Sequence, residues 1–156
     1  MKIYLAASFA ARQRVRPIRD RLWEMGHDVV STWLDESVPL PGMSRATFER
    51  KLGLKDMVES ASADLVIADF LTPSTTGGTH TEYGMALGRF QRQMVWLVGP
   101  RQGVFHYLAD EHFDDWTTCL RRLKDGTGMS IRKEDWEPVV VMAEDKAWLE
   151  REGSND

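Results

Sequence analysis

The sequence predicts an α/β domain in which helices cover both faces of a single doubly wound parallel sheet. Three observations support this prediction. Short apolar runs alternate along the chain with segments whose apolar residues recur at helical spacing. Each run is continuous rather than alternating, which is typical of strands buried on both faces of a parallel sheet. With 156 residues, 42% of them hydrophobic and 28% charged, the chain suits one globular domain with a substantial core.

The chain begins with a predicted strand, helix and strand. Lys2–Ala6 is rich in strand formers and is expected to be a buried first strand. Ser8 is expected to cap the helix that follows, and Gly26 is expected to close it. His27–Trp33 is the predicted second strand. The helix between the two strands is indicated by the spacing of Val15, Ile18, Leu22 and Met25.

The middle of the chain repeats this alternation. A loop with two prolines over residues 35–43 precedes a second helix, expected from about Ser44 to Ala61. Asp64–Asp69 is the third predicted strand. After a loop over residues 70–77, a third helix is expected to run to about Arg92. The apolar face of the second helix is predicted to include Phe48, Leu52, Leu54, Met57, Val58 and Ala61.

A fourth strand is predicted at Met94–Val98, where Gly99 and Pro100 stop it. Phe113–Trp116 is expected to be a short fifth strand, and Trp116–Leu123 a helix. The remaining predictions are a loop over 124–130, a strand or partner contact at Val139–Met142, and a short helix to Glu150.

Composition narrows the function classes. The net charge of −4 argues against a general nucleic-acid binder, which carries a basic surface. Cys119 is the single cysteine, so no internal disulfide is possible, and we interpret it as a structural residue in a reducing compartment. No run approaches the ~20 apolar residues of a membrane span. The start of the chain turns polar too soon for a signal peptide, so a cytoplasmic protein without a membrane partner is expected.

In a doubly wound sheet, ligands bind beyond the carboxyl ends of the strands, where the strand order reverses. The sequence at this position, after the third strand, is TGGTHTEYGMALG. Gly77 and Gly78 let a ligand approach the backbone closely, and Glu82 lies about one turn into the helix behind them. A carboxylate there either complements the helix macrodipole or acts in catalysis. His80 is two residues from Glu82 and off its helix face, so no metal site is expected.

Two aspartates are further candidates. Asp56, late in the second helix, is either a solvated surface residue or is presented to the cleft by the end of that helix. Asp69 ends the third strand, and it either faces the cleft or caps the loop that follows. The first helix also carries a basic face, interpreted as solvated, with an anion site near the helix start as the alternative: Arg12, Arg16 and Arg19.

Four segments, in this order, resemble the nucleoside 2-deoxyribosyltransferase superfamily, which includes the 2-deoxynucleoside 5-phosphate N-hydrolases. They are KIYLAASF, KDMVESASADLVIADF, GGTHTEYGMALG and VWLVGPRQGVFH, and they fall within about residues 1–116. The resemblance implies a flavodoxin- or Rossmann-like domain over 1–116, no cofactor, and a homodimer or higher homo-oligomer. The C-terminal helix and tail, 117–156, are then expected to pack on the same domain or on a partner subunit.

The resemblance also implies roles for single residues. Glu82 stands where the family's nucleophile attacks the anomeric carbon, Asp56 where an aspartate protonates or holds the leaving base, and Tyr4 where a tyrosine orients the nucleophile. At the position of Thr76, transferases of the family often carry an acid, whereas the nucleotide hydrolases carry a hydroxyl residue near the 5-phosphate. A 5-monophosphate is therefore the favoured substrate. The predicted substrate-binding residues are Ser8, Asp69, Thr76, Gly77, Gly78 and His80.

The predicted function is cleavage of the N-glycosidic bond of a 2-deoxynucleoside or its 5-monophosphate through a covalent glycosyl-Glu82 intermediate. The deoxyribosyl group then passes to water or to another nucleobase. Breaking this bond builds positive charge on the sugar, which a carboxylate beneath the ring stabilises or traps. Two alternatives stay open: a nucleotide-sensing module without catalysis, and a glycohydrolase of an NAD-like dinucleotide.

Overall fold

The computed structural model describes residues 1–36, 42–73, 77–89 and 93–126. Within these ranges it contains five strands, four α-helices and three 3-10 helices. The strands are β1 (Lys2–Ala7), β2 (Asp28–Val29), β3 (Leu65–Asp69), β4 (Met94–Val98) and β5 (Glu111–Phe113). The α-helices are α1 (Arg12–Glu24), α2 (Arg45–Ser62), α3 (Gly78–Leu87) and α4 (Trp116–Asp125). The first, second and third 3-10 helices are Phe9–Ala11, Thr32–Asp35 and Val104–Leu108.

All five strands form one parallel sheet in the order β2-β1-β3-β4-β5, which confirms the predicted doubly wound fold. The order reverses at β1, since β2 lies on one side of it and β3 on the other. The three central strands are the continuous apolar runs of the sequence and supply much of the core. In register, Tyr4 of β1 lies beside Val66 of β3, and Asp69 at the end of β3 lies beside Val98 of β4.

The second strand is much shorter than predicted. Only Asp28–Val29 pairs with β1, and the chain then turns into the second 3-10 helix. Side chains take the place of the missing strand backbone. The Leu5 N–H donates to Ser31 Oγ at 2.5 Å, and the Trp33 indole donates to the Leu5 carbonyl at 2.8 Å. Both backbone groups of Leu5 on this side are therefore satisfied without a longer ladder.

The predicted apolar face of α2 is only partly correct, since Phe48, Leu52 and Ala61 are not exposed but the other three predicted residues are. Ser44, the predicted start of this helix, is its N-cap and accepts from the Thr47 N–H at 3.2 Å. However, Leu54, Met57 and Val58 are exposed, at 49, 42 and 64%. The face that turns inward instead carries polar side chains among its apolar ones, in sequence order Phe48, Leu52, Lys55, Asp56, Glu59 and Ser60. Apolar residues at helical spacing predict the buried face of a helix only where that face packs against other apolar residues. The inward face of α2 also presents polar side chains, so the pattern fails there.

The other helices differ from expectation mainly at their ends. Ser8 precedes the first 3-10 helix rather than α1, and its side chain makes no capping hydrogen bond. The third helix stops at Leu87, with Gly88 as its C-cap, and does not reach Arg92. Residues 90–92 lie outside the described ranges, as do the elements predicted at Val139–Met142 and up to Glu150.

The chain after β4 adds to the same core. β5 ends at Phe113, where the predicted strand was to begin, and α4 starts at Trp116 as predicted. Trp116, Cys119 and Leu123 of α4 belong to the main apolar cluster. The Cys119 thiol is buried, and burial raises its pKa above its ordinary value. No helix in the described part of the chain is long and apolar enough to cross a membrane.

Candidate active site

The candidate site lies where β1, α2 and α3 meet. Tyr4 projects from the middle of β1 and is fully buried. Glu82, the fifth residue of α3, faces it, and the Tyr4 hydroxyl donates a hydrogen bond of 2.7 Å to Glu82 Oε1. This contact joins residues 78 positions apart in the chain. Since Tyr4 sits on a central strand, the hydrogen bond fixes the Glu82 side chain against a rigid part of the fold.

A cleft of about 160 Å³ opens over this pair. It brings Glu82 and Asp56 together, as predicted, and Ser8 and Gly78 also form part of its wall. Its lining residues are Ala7, Ser8, Phe9, Trp33, Glu36, Leu52, Asp56, Gly78, Thr79 and Glu82. None of these is a cation. Gly77, just before the cleft wall, has a left-handed backbone with φ of 75°, which explains the glycine at the start of α3.

The environment of Glu82 favours its neutral form. Burial raises the pKa of Glu82 to about 7, and the negative charges of Asp56 and Glu59 act in the same direction. The hydrogen bond from Tyr4 opposes them, because it stabilises the carboxylate. Burial in turn holds the pKa of the Tyr4 hydroxyl far above its ordinary value, so Tyr4 remains a donor.

Asp56 has a similar environment. Burial raises the pKa of Asp56 to about 6, with Lys55 opposing the change and Glu59 adding to it. Its Oδ1 atom is buried and has no hydrogen-bond partner among the described residues. A buried carboxylate without a donor is costly, so protonation relieves this position.

The pKa values of both acids are raised, to values about one unit from each other. Acids this close in pKa and position titrate as a pair. Near neutral pH the pair can therefore retain a proton.

Asp69 lies away from the cleft and is committed to structural contacts. It is 1% exposed and accepts from Arg14 at 2.6 and 3.0 Å. It also accepts from the Leu71 N–H at 2.9 Å and from the Trp116 indole at 2.7 Å. Asp69 therefore caps the loop that follows β3, which was the alternative interpretation. The prediction that Asp69 faces the cleft is wrong.

His80 also lies elsewhere. It faces a second, larger cavity of about 790 Å³ on another side of α3, where its ring stacks near His106 at 5.7 Å between centroids. This cavity is mostly apolar and contains no pair of facing acids. Thr76 lies outside the described residues, so its place relative to the cleft stays a prediction.

The arginines of α1 do not form the solvated face that was predicted. Arg12 donates to the Glu36 carbonyl at 2.6 Å, Arg16 to the Leu34 carbonyl at 2.8 Å, and Arg19 pairs with Asp35 at 2.6 Å. Cations suit the free carbonyls at the end of a helix. The basic face therefore holds the second 3-10 helix in place and leaves no open anion site at these groups.

Several cleft residues were not found from the sequence. Trp33 forms one wall, and Phe9, 62% exposed, stands at the mouth with the Arg12 guanidinium 4.4 Å from its ring centroid. Glu36 lines the cleft and forms an ion pair with Lys55. Trp33 was assigned to the second strand, so the error in that strand's length hid its place in the cleft. No group of three or more metal-ligating side chains occurs among the described residues.

Comparisons with known proteins bear on the fold. No family model matches the chain, and no curated protein matches its sequence. The fold is similar to that of a 2-deoxyribosyltransferase from Bacillus psychrosaccharolyticus, with a TM-score of 0.62 and 20% identity over 77% of this chain and 90% of that one. It is also similar to the CMP N-glycosidase BcmB from Clostridium botulinum, with a TM-score of 0.51 and 22% identity over 79% and 98%. The fold implied by the sequence resemblance is thus confirmed.

Proposed function

We propose that the protein is an enzyme of the nucleoside 2-deoxyribosyltransferase type, which cleaves the N-glycosidic bond of a 2-deoxynucleoside or its 5-monophosphate. The observation that carries this proposal is the Tyr4–Glu82 hydrogen bond at the floor of a cleft that also contains Asp56. The fold is similar to those of a 2-deoxyribosyltransferase and a CMP N-glycosidase, and both names refer to reactions at an N-glycosidic bond.

In the first step, a Glu82 carboxylate oxygen bonds to the anomeric carbon while the carbon–nitrogen bond breaks. The electron pair of that bond stays with the base nitrogen, and Asp56 donates a proton to the departing base. In the second step, water or another base attacks the same carbon and releases Glu82, while Asp56 recovers a proton from the attacking group. The protein returns to its starting state without a cofactor.

The proposed role of Tyr4 is to hold one Glu82 oxygen so that the other points at the sugar. A hydrogen bond to the carboxylate also favours the ionised nucleophile within a cleft that otherwise disfavours charge. As the glycosyl–Glu82 bond forms, the negative charge leaves the carboxylate, and Tyr4 remains bound to an oxygen of the ester.

The proton must lie on Asp56 and not on Glu82 when the bond breaks. In the free protein both pKa values are raised, so the pair can retain a proton near neutral pH. Substrate favours the required arrangement if the base accepts a hydrogen bond from Asp56 and the positive sugar favours the Glu82 carboxylate.

Substrate contacts are proposed for the residues at the sugar end of the cleft. Ser8 and Gly78 line it, and Gly77 and Thr76 precede it in the chain. The acidic lining favours neutral or cationic groups, whereas a hydroxyl at Thr76 suits a phosphate. The proposal therefore covers both the nucleoside and its monophosphate.

The third 3-10 helix supports a proposed homodimer. Its side chains are unusually exposed for apolar residues, with Val104 at 76%, Phe105 at 66%, Tyr107 at 69% and Leu108 at 61%. This ridge borders the 790 Å³ cavity, so one face carries both an apolar ridge and an apolar groove. A two-fold dimer needs such a self-complementary surface. Light scattering should give twice the chain mass, and Phe105→Asp should reduce it to that of one chain, whereas the control Leu54→Asp on α2 should not.

The function is tested by incubating the protein with a panel of 2-deoxynucleosides and their monophosphates, with and without a free acceptor base. Chromatography should show release of the base in the wild-type protein, and a new nucleoside if transfer occurs. Glu82→Ala should lower turnover by ~10³-fold or more, as when a covalent nucleophile is lost. Binding without release of base by any substrate would instead favour the sensing module.

A further inference from the structure

Glu59 lies next to the site without lining its cleft. It is on α2, three residues after Asp56 and therefore on the same side of the helix. Its carboxylate accepts two hydrogen bonds from Thr32, one from the N–H at 3.0 Å and one from the hydroxyl at 2.5 Å. Thr32 is the first residue of the second 3-10 helix, and its N–H also donates to the Val30 carbonyl at 3.0 Å. Glu59 thus acts as a cap supplied by another helix.

This cap joins two walls of the cleft. Trp33, the next residue after Thr32, lines the cleft and is bound to β1 through the Leu5 carbonyl at 2.8 Å. Asp56 also lines the cleft and lies on the same helix as Glu59. The position of Trp33 relative to Asp56 is therefore set through the contact between Glu59 and Thr32.

The charge of Glu59 also reaches the reacting groups. It is among the causes that raise the pKa of Glu82, of Asp56 and of Tyr4. Three other charged residues lie around these acids, one on α2 itself and two on other segments. Lys55 on α2 opposes the effect at Asp56 but is paired with Glu36, which follows the second 3-10 helix. Arg12 on α1 binds the Glu36 carbonyl.

We propose that Glu59 is a positioning residue of the active site, which fastens the Trp33 wall to α2 and adds a negative charge to the surroundings of Asp56 and Glu82. The inference deepens the proposed function and rests on it for the meaning of the two acids. Its role has two separable parts, since the hydrogen bonds to Thr32 act on geometry and the negative charge acts on proton affinity.

Two variants separate these parts. Glu59→Gln removes the charge but keeps an amide oxygen that accepts from Thr32. Thr32→Val removes one hydrogen bond and keeps the charge of Glu59. The matched control is Glu49→Gln, an equal charge change on the same helix at an exposed glutamate that pairs with Arg45.

The first measurement does not depend on activity. The carboxyl carbons are labelled with ¹³C and titrated by NMR, with the signals of the two acids assigned from Glu82→Gln and Asp56→Asn. In Glu59→Gln the apparent pKa values of the pair should fall by ~0.5 or more, the direction expected on removal of a nearby negative charge. They should not move in Glu49→Gln. A folded Glu59→Gln protein whose pair titrates as in the wild type would overturn the inference.

The second measurement uses the substrate found active in the panel. Thr32→Val should raise KM severalfold and leave the pH profile of kcat/KM in place, whereas Glu59→Gln should move that profile toward lower pH. An unchanged KM in Thr32→Val would overturn the positioning of Trp33. If no substrate is turned over by the wild type, the proposed function fails, while the NMR titration still decides whether Glu59 acts on the two acids.

Discussion

Replacing Glu82 by glutamine should stabilise the fold at high pH while abolishing the chemistry. Glutamine has the same shape and keeps an oxygen that accepts from Tyr4, but it carries no charge into the buried cleft. Burial raises the pKa of Glu82 from an ordinary 4.5 to about 7. In the unfolded chain, Glu82 ionises near the ordinary value.

The sign follows from where protons bind. Below pH 4.5 the residue is neutral in both states, and its environment costs nothing. Between pH 4.5 and 7 the unfolded chain has lost this proton and the folded protein has kept it, so wild-type stability falls as pH rises. Above pH 7 Glu82 has lost its proton in both states, and wild-type stability falls no further on this account. A pKa difference of about 2.5 corresponds to about 3 kcal/mol, at 1.36 kcal/mol per unit.

Urea unfolding, followed by tryptophan fluorescence, measures this effect. The difference in unfolding free energy between Glu82→Gln and wild type should grow by about 3 kcal/mol from pH 4.5 to pH 8, in favour of the variant. Loss of the Glu82 charge also lets Asp56 ionise more easily, which acts in the same direction. Glu49→Gln serves as the control and should run parallel to wild type. Parallel curves for Glu82→Gln as well would refute a buried, proton-holding Glu82.

Three further predictions concern activity. Asp56→Asn should slow natural substrates by at least ~10²-fold and substrates with good leaving groups much less, because only the former need the proton; equal losses in steady-state assays would contradict a proton donor. Tyr4→Phe should move the pH profile of kcat/KM to higher pH, because the hydrogen bond that it removes lowers the pKa of Glu82 in the wild type; an unmoved profile would show that this bond does not tune the nucleophile. Thr76→Asp should lower kcat/KM for a monophosphate more than for the matched nucleoside, because a carboxylate repels the phosphate; an equal effect on both would remove Thr76 from the phosphate site.

The sequence was most informative where a residue's role was to be buried. β1, β3 and β4 are continuous apolar runs, and their parallel pairing follows from the helices between them. The partnership of Tyr4 and Glu82 was accessible only through topology and family resemblance, because nothing local links residues so far apart. Roles governed by specific contacts were missed: the second strand stops where Ser31 and Trp33 side chains replace its ladder.

The inward face of α2 is a second feature that the sequence pattern did not predict. Hydrophobic periodicity assigned Leu54, Met57 and Val58 to the core, yet the structure turns Asp56 and Glu59 inward. A helix that brings acids to a cleft cannot use that face for apolar packing alone. The conflict between pattern and burial is itself a sign of function, and it becomes visible only when the exposed fractions are known.

The contacts of Asp69 have a consequence for how the chain folds. One buried carboxylate holds together the end of β3, Arg14 near the start of the chain and Trp116 at the start of its last described helix. Until both Arg14 and Trp116 have docked, this charge is buried without its full set of donors. Early compact states are therefore penalised, and we expect the sheet and α4 to unfold in a single all-or-none transition rather than by separate unfolding of α4.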